Sequence, residues 1–285
     1  MSAYQSVGRV LKLAGSMGCY AVTALWEKVQ TAAGKAPHAR CVVLYYHAMP
    51  LRQRKRFARQ MDILLRCAKP AHPELKAPLS PGLHAAVTFD DGYQSVVENA
   101  LPELQKRNIP FAFFVVSHAL GGPARWIPEG EAYRPDEGDN ILSAEQLRRL
   151  PANLVVIGSH TMSHPQLPEL PEEAAKQELT QSRALLEQVL QREIRLFSFP
   201  HGAFNSSLVK WCREAGYERV FSIEPVMALS DPHEYVTGRV WADADDWNLE
   251  FRLKVLGAYR WLPAAFEWKR KLLGALKKPS RNGSH

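Results

Sequence analysis

The sequence predicts an α/β protein built as a barrel of about seven strand–helix units. Short apolar segments rich in β-branched and aromatic residues alternate with segments of helical apolar spacing. This alternation is typical of a parallel sheet covered by helices, and about seven units favour a barrel over an open sheet. No glycine-rich phosphate loop follows any predicted strand, which argues against a nucleotide-binding fold.

The predicted elements follow from local signals. Pro50 ends the first strand, and Ser143 is a candidate N-cap for a helix. The predicted strands span 41–50, 85–92, 110–117, 153–160, 194–202, 217–223 and 234–242. The predicted helices span 56–68, 95–108, 143–150, 171–192 and 206–216.

The net charge of +7 is unevenly distributed along the chain. Residues 1–76 carry +10, residues 77–251 carry −11, and residues 252–285 carry +8. We find no RNA-binding aromatic pattern, zinc finger or recognition helix, so we expect no nucleic-acid partner. Basic ends with apolar residues between the charges suit an anionic membrane surface better.

The two ends of the chain are predicted to be amphipathic. Residues 13–26 carry no charge, but fourteen residues are too few to span a bilayer. A helix packed on the domain, an interfacial membrane helix and a cleaved signal peptide remain open there, the last being disfavoured because no A-x-A site follows. Residues 250–278 alternate apolar and basic residues at helical spacing, typical of either a helical cap or a membrane-surface helix.

We therefore predict three regions: an N-terminal amphipathic helical segment (1–37), a central α/β domain (38–250), and a basic amphipathic C-terminal helix and tail (251–285). Both ends are predicted to hold the protein peripherally at the cytoplasmic membrane. The four cysteines have no CxxC spacing, which favours free thiols in a reducing compartment and hence the cytoplasmic face.

Polar residues gather where predicted strands end, which is where α/β barrels carry their chemistry. Asp90 and Asp91 follow the second strand, and His160 and His164 follow the fourth. An i, i+4 histidine pair on a helical turn can face one metal ion, and Asp91 could add a carboxylate oxygen. Such a set would leave coordination positions open for water and substrate.

The neighbouring carboxylate would then be free for a separate role. Asp90 could accept a proton from a water molecule that attacks a carbonyl, and His47, at another strand end, could protonate the leaving amine. Surface or capping roles for the histidine pair, and a hydrogen-bonded core role for His47, remain open at this point.

Three motifs resemble those of the polysaccharide deacetylase family, carbohydrate esterase family 4, which contains the chitooligosaccharide deacetylase homology domain. "TFDDG" (88–92) resembles its first motif, "SHTMSH" (159–164) its second and "FSFPHGAFN" (197–205) its third. They stand in the expected order over roughly residues 40–245. The resemblance implies a distorted (β/α)7 barrel, here with amphipathic helical extensions at both ends, and metal-dependent removal of N-acetyl groups from an amino-sugar polysaccharide or lipid-linked saccharide.

The resemblance also implies roles for individual residues. Asp90 would be the catalytic base, and Asp91, His160 and His164 would hold a divalent metal ion, usually Zn²⁺. The third motif would form one wall of the sugar groove, through Pro200, His201, Gly202 and Asn205.

Several positions depart from the common family pattern. Ser198 stands where an arginine usually orients the base, and His201 stands where tyrosine or phenylalanine is usual. A branch that includes the poly-N-acetylglucosamine deacetylases also lacks this arginine and takes its acid histidine from an early "YH" strand. "YYHAMP" fits that branch through His47, and Arg239 on a late strand is then the candidate partner of the base.

"DADDW" (243–247) resembles a fourth family motif and makes Asp246 and Trp247 candidate substrate contacts, although a loop of solvated acids is an alternative. Two other functions remain open on the same barrel: a deformylase or amidase acting on another small acyl amide, and an inactive glycan-binding protein.

Overall fold

The computed structural model describes residues 3–35, 38–74, 79–127, 135–228 and 233–268. The strands are β1 Ala39–Tyr46, β2 Lys69–Pro70, β3 Gly82–Phe89, β4 Phe111–Val115, β5 Val155–Ser159, β6 Leu196–Ser198, β7 Arg219–Phe221, β8 Val236–Thr237 and β9 Val240–Trp241. The helices are α1 Ala3–Ala32, α2 Arg54–Cys67, α3 Leu101–Lys106, α4 Ala144–Arg148, α5 Glu172–Leu190, α6 Ser206–Glu214 and α7 Asn248–Val255. A π-helical turn, Val96–Ala100, leads directly into α3.

The strands form one parallel sheet in the order β8-β7-β6-β5-β4-β3-β1-β9, with β2 added beside β3. The two end strands are consecutive in the chain, separated only by Gly238 and Arg239. One extended segment therefore pairs first with β7 and then with β1. The sheet comes round on itself, and the seam between its ends lies at these two residues.

The side chains inside the sheet show the same curvature. The rings of Phe114 on β4 and Phe221 on β7 lie 5.2 Å apart between centroids. These strands are three places apart in the sheet, a separation of about 14 Å if the sheet were flat. They belong to an inner cluster with Cys41, Val43 and Ala86, while the alternate residues of each strand pack outward beneath the helices.

The predicted α/β fold is confirmed, with differences at three places. The predicted strand 234–242 is divided into β8 and β9, because its pairing partner changes from β7 to β1; at the break, a Cβ on Gly238 would stand 2.4 Å from the Glu224 carbonyl oxygen. The predicted helix 95–108 begins with the π-helical turn. The predicted boundary at residue 250 falls within α7, whose Phe251 and Val255 are buried in the main core.

The N-terminal segment is helical, as one of the open interpretations required. α1 contacts α7, and its Gly15 lies against the indole of Trp261. Within the described residues no helix has the length and hydropathy needed to cross a membrane. Residues 269–285, the last part of the predicted C-terminal helix and tail, lie outside the described residues.

Candidate active site

The first side chains of the site follow β3. The Asp90 amide donates to the Tyr46 carbonyl at 2.9 Å, so the backbone still follows β1 at this point. Asp91 then adopts a left-handed conformation with φ 72°, and Gly92 follows at φ 99°. The backbone turns between the two acids, and their carboxylates reach different partners.

Asp90 is paired with the fully buried Arg239. Two guanidinium nitrogens donate to the two carboxylate oxygens of Asp90 at 2.7 and 2.8 Å. The remaining donors of Arg239 reach the Thr88 hydroxyl, the Ser198 hydroxyl and the Ser222 carbonyl. All five N–H groups are thereby used, which holds the guanidinium in one orientation.

This pairing controls the charge of Asp90. Burial would raise the pKa of Asp90, but the Arg239 guanidinium, its hydrogen bonds and nearby histidines outweigh burial and hold that pKa below its ordinary value. Ser198, which stands where the usual family arginine is missing, accepts a hydrogen bond from Arg239 at 2.7 Å. The guanidinium reaches this space from the seam between β8 and β9.

Asp91 faces two histidines instead. Its Oδ1 lies 3.7 Å from His160 Nε2 and 3.5 Å from His164 Nε2, and all three side chains are buried. Oδ1 of Asp91 has no hydrogen-bond partner. Two ligands bound to one tetrahedral zinc ion are about 3.4 Å apart. The donor types, their spacing and the unpartnered oxygen therefore fit a divalent cation.

The tautomer of His160 supports the same set. Its Nδ1 lies 2.8 Å from the Ser198 carbonyl, and because a carbonyl can only accept, Nδ1 carries the proton. Nε2 then carries the free lone pair, which is directed towards Asp91 and His164. Such a carbonyl contact is how proteins commonly orient a metal-binding histidine.

The loop that carries the histidines is not the helical turn that their spacing predicts. Thr161 and His164 have positive φ angles of 69° and 61°. The Thr161 hydroxyl accepts the His164 amide proton at 3.0 Å, and the Glu178 carboxylate accepts those of Met162 and Ser163. These side-chain acceptors stabilise an irregular loop, which brings both imidazoles to Asp91 by a different path.

Burial sets the protonation of this group. It lowers the pKa of His160 to about 4 and moves the pKa of His164 lower still, so both imidazoles are neutral and able to bind metal near neutral pH. Burial, together with the charge of Asp90, raises the pKa of Asp91 well above its ordinary value. An isolated negative charge at Asp91 is therefore costly without a cation.

His47 follows β1 and lines the same cavity. Its ring meets Tyr45 edge-on, with 5.7 Å between centroids. Burial lowers the pKa of His47, while the negative charge of Asp90 acts in the opposite direction. The structure thus brings the histidine of the first strand and the carboxylate of the next parallel strand to one opening.

The cavity above these residues has a volume of about 550 Å³. Trp126 lies nearly parallel to His164 at 5.0 Å, and His201 meets the same imidazole edge-on at 4.6 Å. His201 has φ 57° and lines the cavity with Gly202, while Pro200 is buried at the start of their turn. The other lining residues are Tyr45, Asp90, Asp91, Ile127, His160, Gln166, Phe199 and Ile223.

Besides Pro200, three candidate substrate contacts do not line this cavity. Asn205 caps α6, where its side chain accepts the Leu208 amide proton at 2.9 Å. Asp246 accepts from Lys254 at 2.7 Å, and burial raises the pKa of Asp246 to about 6. Trp247 is covered on one face by the Arg9 guanidinium. The structure places these three side chains in the α6 cap and the α1–α7 contact, away from the metal-ligand group.

The sequence interpretation also missed Trp126. It lies in the segment 121–127, "GGPARWI", which carries no motif and no periodic pattern, so no sequence signal points to it. Asn205, by contrast, could have been recognised as an N-cap, because it directly precedes a segment of helical spacing.

Comparison with known proteins identifies the family. The sequence profile of the family described as "Polysaccharide deacetylase" matches residues 80–220, a range that holds Asp90, Asp91, His160 and His164. The chain belongs to the polysaccharide deacetylase family. His47 and Arg239 lie outside the matched range and join the site only through the fold.

Individual relatives match different shares of this chain. A curated relative, YxkH of Bacillus subtilis (strain 168), described as a candidate polysaccharide deacetylase, is 25% identical over 154 residues, which are 54% of this chain. The chain spans about half the length of that relative, 50%.

Solved structures confirm the fold. IcaB from Ammonifex degensii is 27% identical, covers 78% of this chain and 99% of its own, and superposes with a TM-score of 0.62. The deacetylase PplD of Streptococcus pyogenes, solved with acetate, is 16% identical, covers 76% of this chain and 98% of its own, and has a TM-score of 0.62. The likeness to IcaB supports the predicted branch, in which an early-strand histidine and a late-strand arginine replace the usual arrangement.

Proposed function

We propose that this polysaccharide deacetylase removes N-acetyl groups from an amino-sugar glycan in a metal-dependent reaction. The observation that supports this most directly is the meeting of two separate groups in one cavity. The Asp91, His160 and His164 donors lie beside an Asp90 carboxylate that is held charged by Arg239. His47 completes the set at the same opening.

The donor set favours Zn²⁺, because two imidazoles and one carboxylate suit a catalytic zinc site with an open position. A bound divalent cation would act there as a Lewis acid and would lower the pKa of water. Asp91 would contribute one carboxylate oxygen, and the two histidines would contribute Nε2. The unpartnered oxygen of Asp91 gives this assignment a structural basis independent of family likeness.

The residues around this group have distinct tasks. Asp90 accepts the proton of the attacking water, and its lowered pKa keeps it ionised and available near neutral pH. Arg239 positions the carboxylate and does not touch the substrate. As the amide C–N bond breaks, the proton that Asp90 has taken from the water is passed to the leaving amine, and His47 at the same opening is placed to relay it. His201, Gly202 and Trp126 form the walls that hold the sugar.

The test is acetate release from N-acetylglucosamine oligosaccharides. The metal-stripped chain is assayed before and after addition of Zn²⁺, with acetate and new amino groups measured together. We expect activity only with metal, and equal amounts of both products. The matched control is Asp90→Asn, which leaves the three metal donors in place and is expected to lose activity by about 10²- to 10⁴-fold while still binding zinc.

The same assay separates the other functions. Formate release from N-formyl substrates without acetate release would assign a deformylase. Oligosaccharide binding with no product from the zinc-loaded chain would assign a glycan-binding protein. Full activity of Asp90→Asn would contradict the role assigned to that carboxylate.

A further inference from the structure

The N-terminal helix α1 is oriented opposite to an ordinary surface helix. Its polar residues face the protein: the Arg9 guanidinium donates to the Glu250 carboxylate at 2.8 Å, and the fully buried Ser16 accepts from the indole of Trp261 at 3.0 Å. A helix added only to cover the domain would turn its apolar side inward. Here Arg9 and Ser16 supply polar contacts with the domain, beside the partly buried Leu13, which packs against its core.

The apolar side of α1 faces outward. Val7, Leu11, Val22, Leu25 and Val29 lie at spacings that put them on one face of the helix. Each is at least half exposed, and Val22 reaches 69%. The full set of exposed large apolar residues on α1 is Val7, Val10, Leu11, Met17, Tyr20, Val22, Leu25, Trp26 and Val29. We call the face formed by Val7, Leu11, Val22, Leu25 and Val29 the apolar stripe. A continuous stripe of this kind marks an interaction surface.

A second group of exposed apolar residues follows the segment that packs on α1. Residues 262–268 are helical, and Phe266 and Trp268 are 56% and 70% exposed. This helical segment directly follows Trp261, which packs on Gly15 in the middle of α1. Exposed aromatic side chains beside an apolar helix are typical of segments that lie at a membrane–water interface.

The positive charge around the stripe indicates which kind of partner it can bind. Glu27 is the single acidic residue among residues 1–61, and the Arg40 guanidinium pairs with it. Lys12 and Lys28 are exposed on α1, and Lys35 follows the helix. A second copy of the chain would bring these cations together and repel. A surface that carries phosphate groups above an apolar layer matches both the stripe and the charge.

We propose that α1 docks this protein on the surface of an anionic phospholipid bilayer, with the apolar stripe in the headgroup–acyl boundary. This docking is independent of the proposed function. Arg9 lies near Glu250, beyond the carboxyl ends of the strands, whereas Glu27 pairs with Arg40 at the start of β1. α1 thus runs along the side of the barrel, and the cavity opens parallel to the membrane plane, towards glycan held at the surface.

The test is flotation of the full chain with vesicles of phosphatidylcholine alone or with phosphatidylglycerol added, at low and high salt. We expect binding to the anionic vesicles, weakened by salt. The double variant Val22→Glu and Leu25→Glu puts two negative charges on the stripe. We expect its affinity for the vesicles to fall at least about tenfold. Circular dichroism and thermal unfolding confirm that the variant is folded.

The matched control places the same added charge elsewhere. Gln181→Glu and Gln188→Glu, both exposed on α5, change the net charge by the same amount and should bind like the unaltered chain. Binding lost only in the stripe variant supports the proposal. The proposal would be overturned if the unaltered chain did not bind vesicles, or if the stripe variant bound them equally well. It would also be overturned if the unaltered chain formed a dimer without binding vesicles and the stripe variant were a monomer.

Discussion

At the scale of single residues, the two adjacent acids differ because of what each one faces. Asp90 is charged and accepts two hydrogen bonds from a guanidinium, whereas Asp91 is buried and one of its oxygens has no hydrogen-bond partner. The same chemical group therefore has a lowered pKa at one position and a raised pKa at the next. The sequence could predict that the two have separate tasks, because successive residues leaving a strand point in different directions.

Replacing Asp91 by asparagine should stabilise the metal-free protein. Because the folded-state pKa of Asp91 is raised above the ordinary 3.8, the folded protein holds its proton more tightly than the unfolded chain does. The cost of Asp91 therefore grows as pH rises above about 3.8 and through the raised pKa. Asparagine removes the charge and suits the left-handed backbone there.

Chemical unfolding in a chelating buffer checks this. We expect Asp91→Asn to raise the free energy of unfolding by about 1–3 kcal/mol near neutral pH, with a smaller gain at acid pH. Zinc should stabilise the unaltered chain, by about 2.7 kcal/mol at a hundredfold excess over Kd, and leave the variant unchanged. If Asp91→Asn were less stable than the metal-free unaltered chain at neutral pH, the claim that an unpaired charge at Asp91 destabilises the fold would be wrong.

Replacing Arg239 should change the pH dependence of the reaction. Arg239→Met leaves Asp90 buried without its cation, so the pKa of Asp90 rises and the base becomes protonated at higher pH. The acidic limb of the kcat/KM profile should therefore move to higher pH, and Arg239→Lys should move it less. A lower rate with an unmoved acidic limb would show that Arg239 is only structural. Zinc affinity and thermal unfolding serve as controls for folding.

At the scale of elements, the sequence predicted most strands and helices because their apolar periods are clear. It could not predict that residues 234–242 divide into β8 and β9, since the cause is the change of pairing partner from β7 to β1 within this segment. The His160–His164 loop was predicted as a helical turn, because its acceptor, Glu178, lies far along the chain. Non-local contacts account for both differences.

The turn after β3 gives an element-level prediction. Gly92 has φ 99°, and a Cβ there would stand 3.0 Å from the Val115 side chain. Gly92→Ala should therefore lower the free energy of unfolding by about 1–3 kcal/mol and weaken zinc binding by displacing Asp91.

Gly18→Ala is the control, since Gly18 lies within α1 with open space around it, and alanine should stabilise the helix by up to about 1 kcal/mol. Urea unfolding and zinc titration measure both variants. Unchanged stability and unchanged zinc affinity in Gly92→Ala would show that this turn does not position Asp91.

At the scale of the whole molecule, the site depends on the curvature that brings the two ends of the sheet to one chain segment. His47, just after the first strand, and Arg239, at the seam, are 192 positions apart in the chain. Yet His47 lines the cavity beside Asp90, and Arg239 donates hydrogen bonds to Asp90. The motif pattern alone placed the two acids and the histidine pair. His47 was already a candidate from its place at a strand end, whereas Arg239 could be nominated only through the family resemblance. Asp246 and Trp247 could not be separated from true cavity residues without the fold.

The attachment of α1 to the barrel also belongs to this scale. Arg9 donates to Glu250 and covers Trp247 at 4.4 Å, so Arg9→Ala should loosen the helix. We expect hydrogen exchange of the α1 amides to accelerate about tenfold, with the strand amides unchanged. Lys12→Ala, which removes an exposed cation from the same helix, is the control. Equal exchange in both variants would show that Arg9 does not anchor α1.

The measurement that most directly tests the central claim is an anomalous-scattering map at the zinc edge, from crystals grown with a short N-acetylated oligosaccharide. We predict one peak within about 2.0–2.2 Å of an Asp91 oxygen and of the Nε2 atoms of His160 and His164. The acetamido group should lie beside this peak, between Asp90 and His47. A peak at other residues, or an acetamido group bound away from Asp90, would contradict the claim.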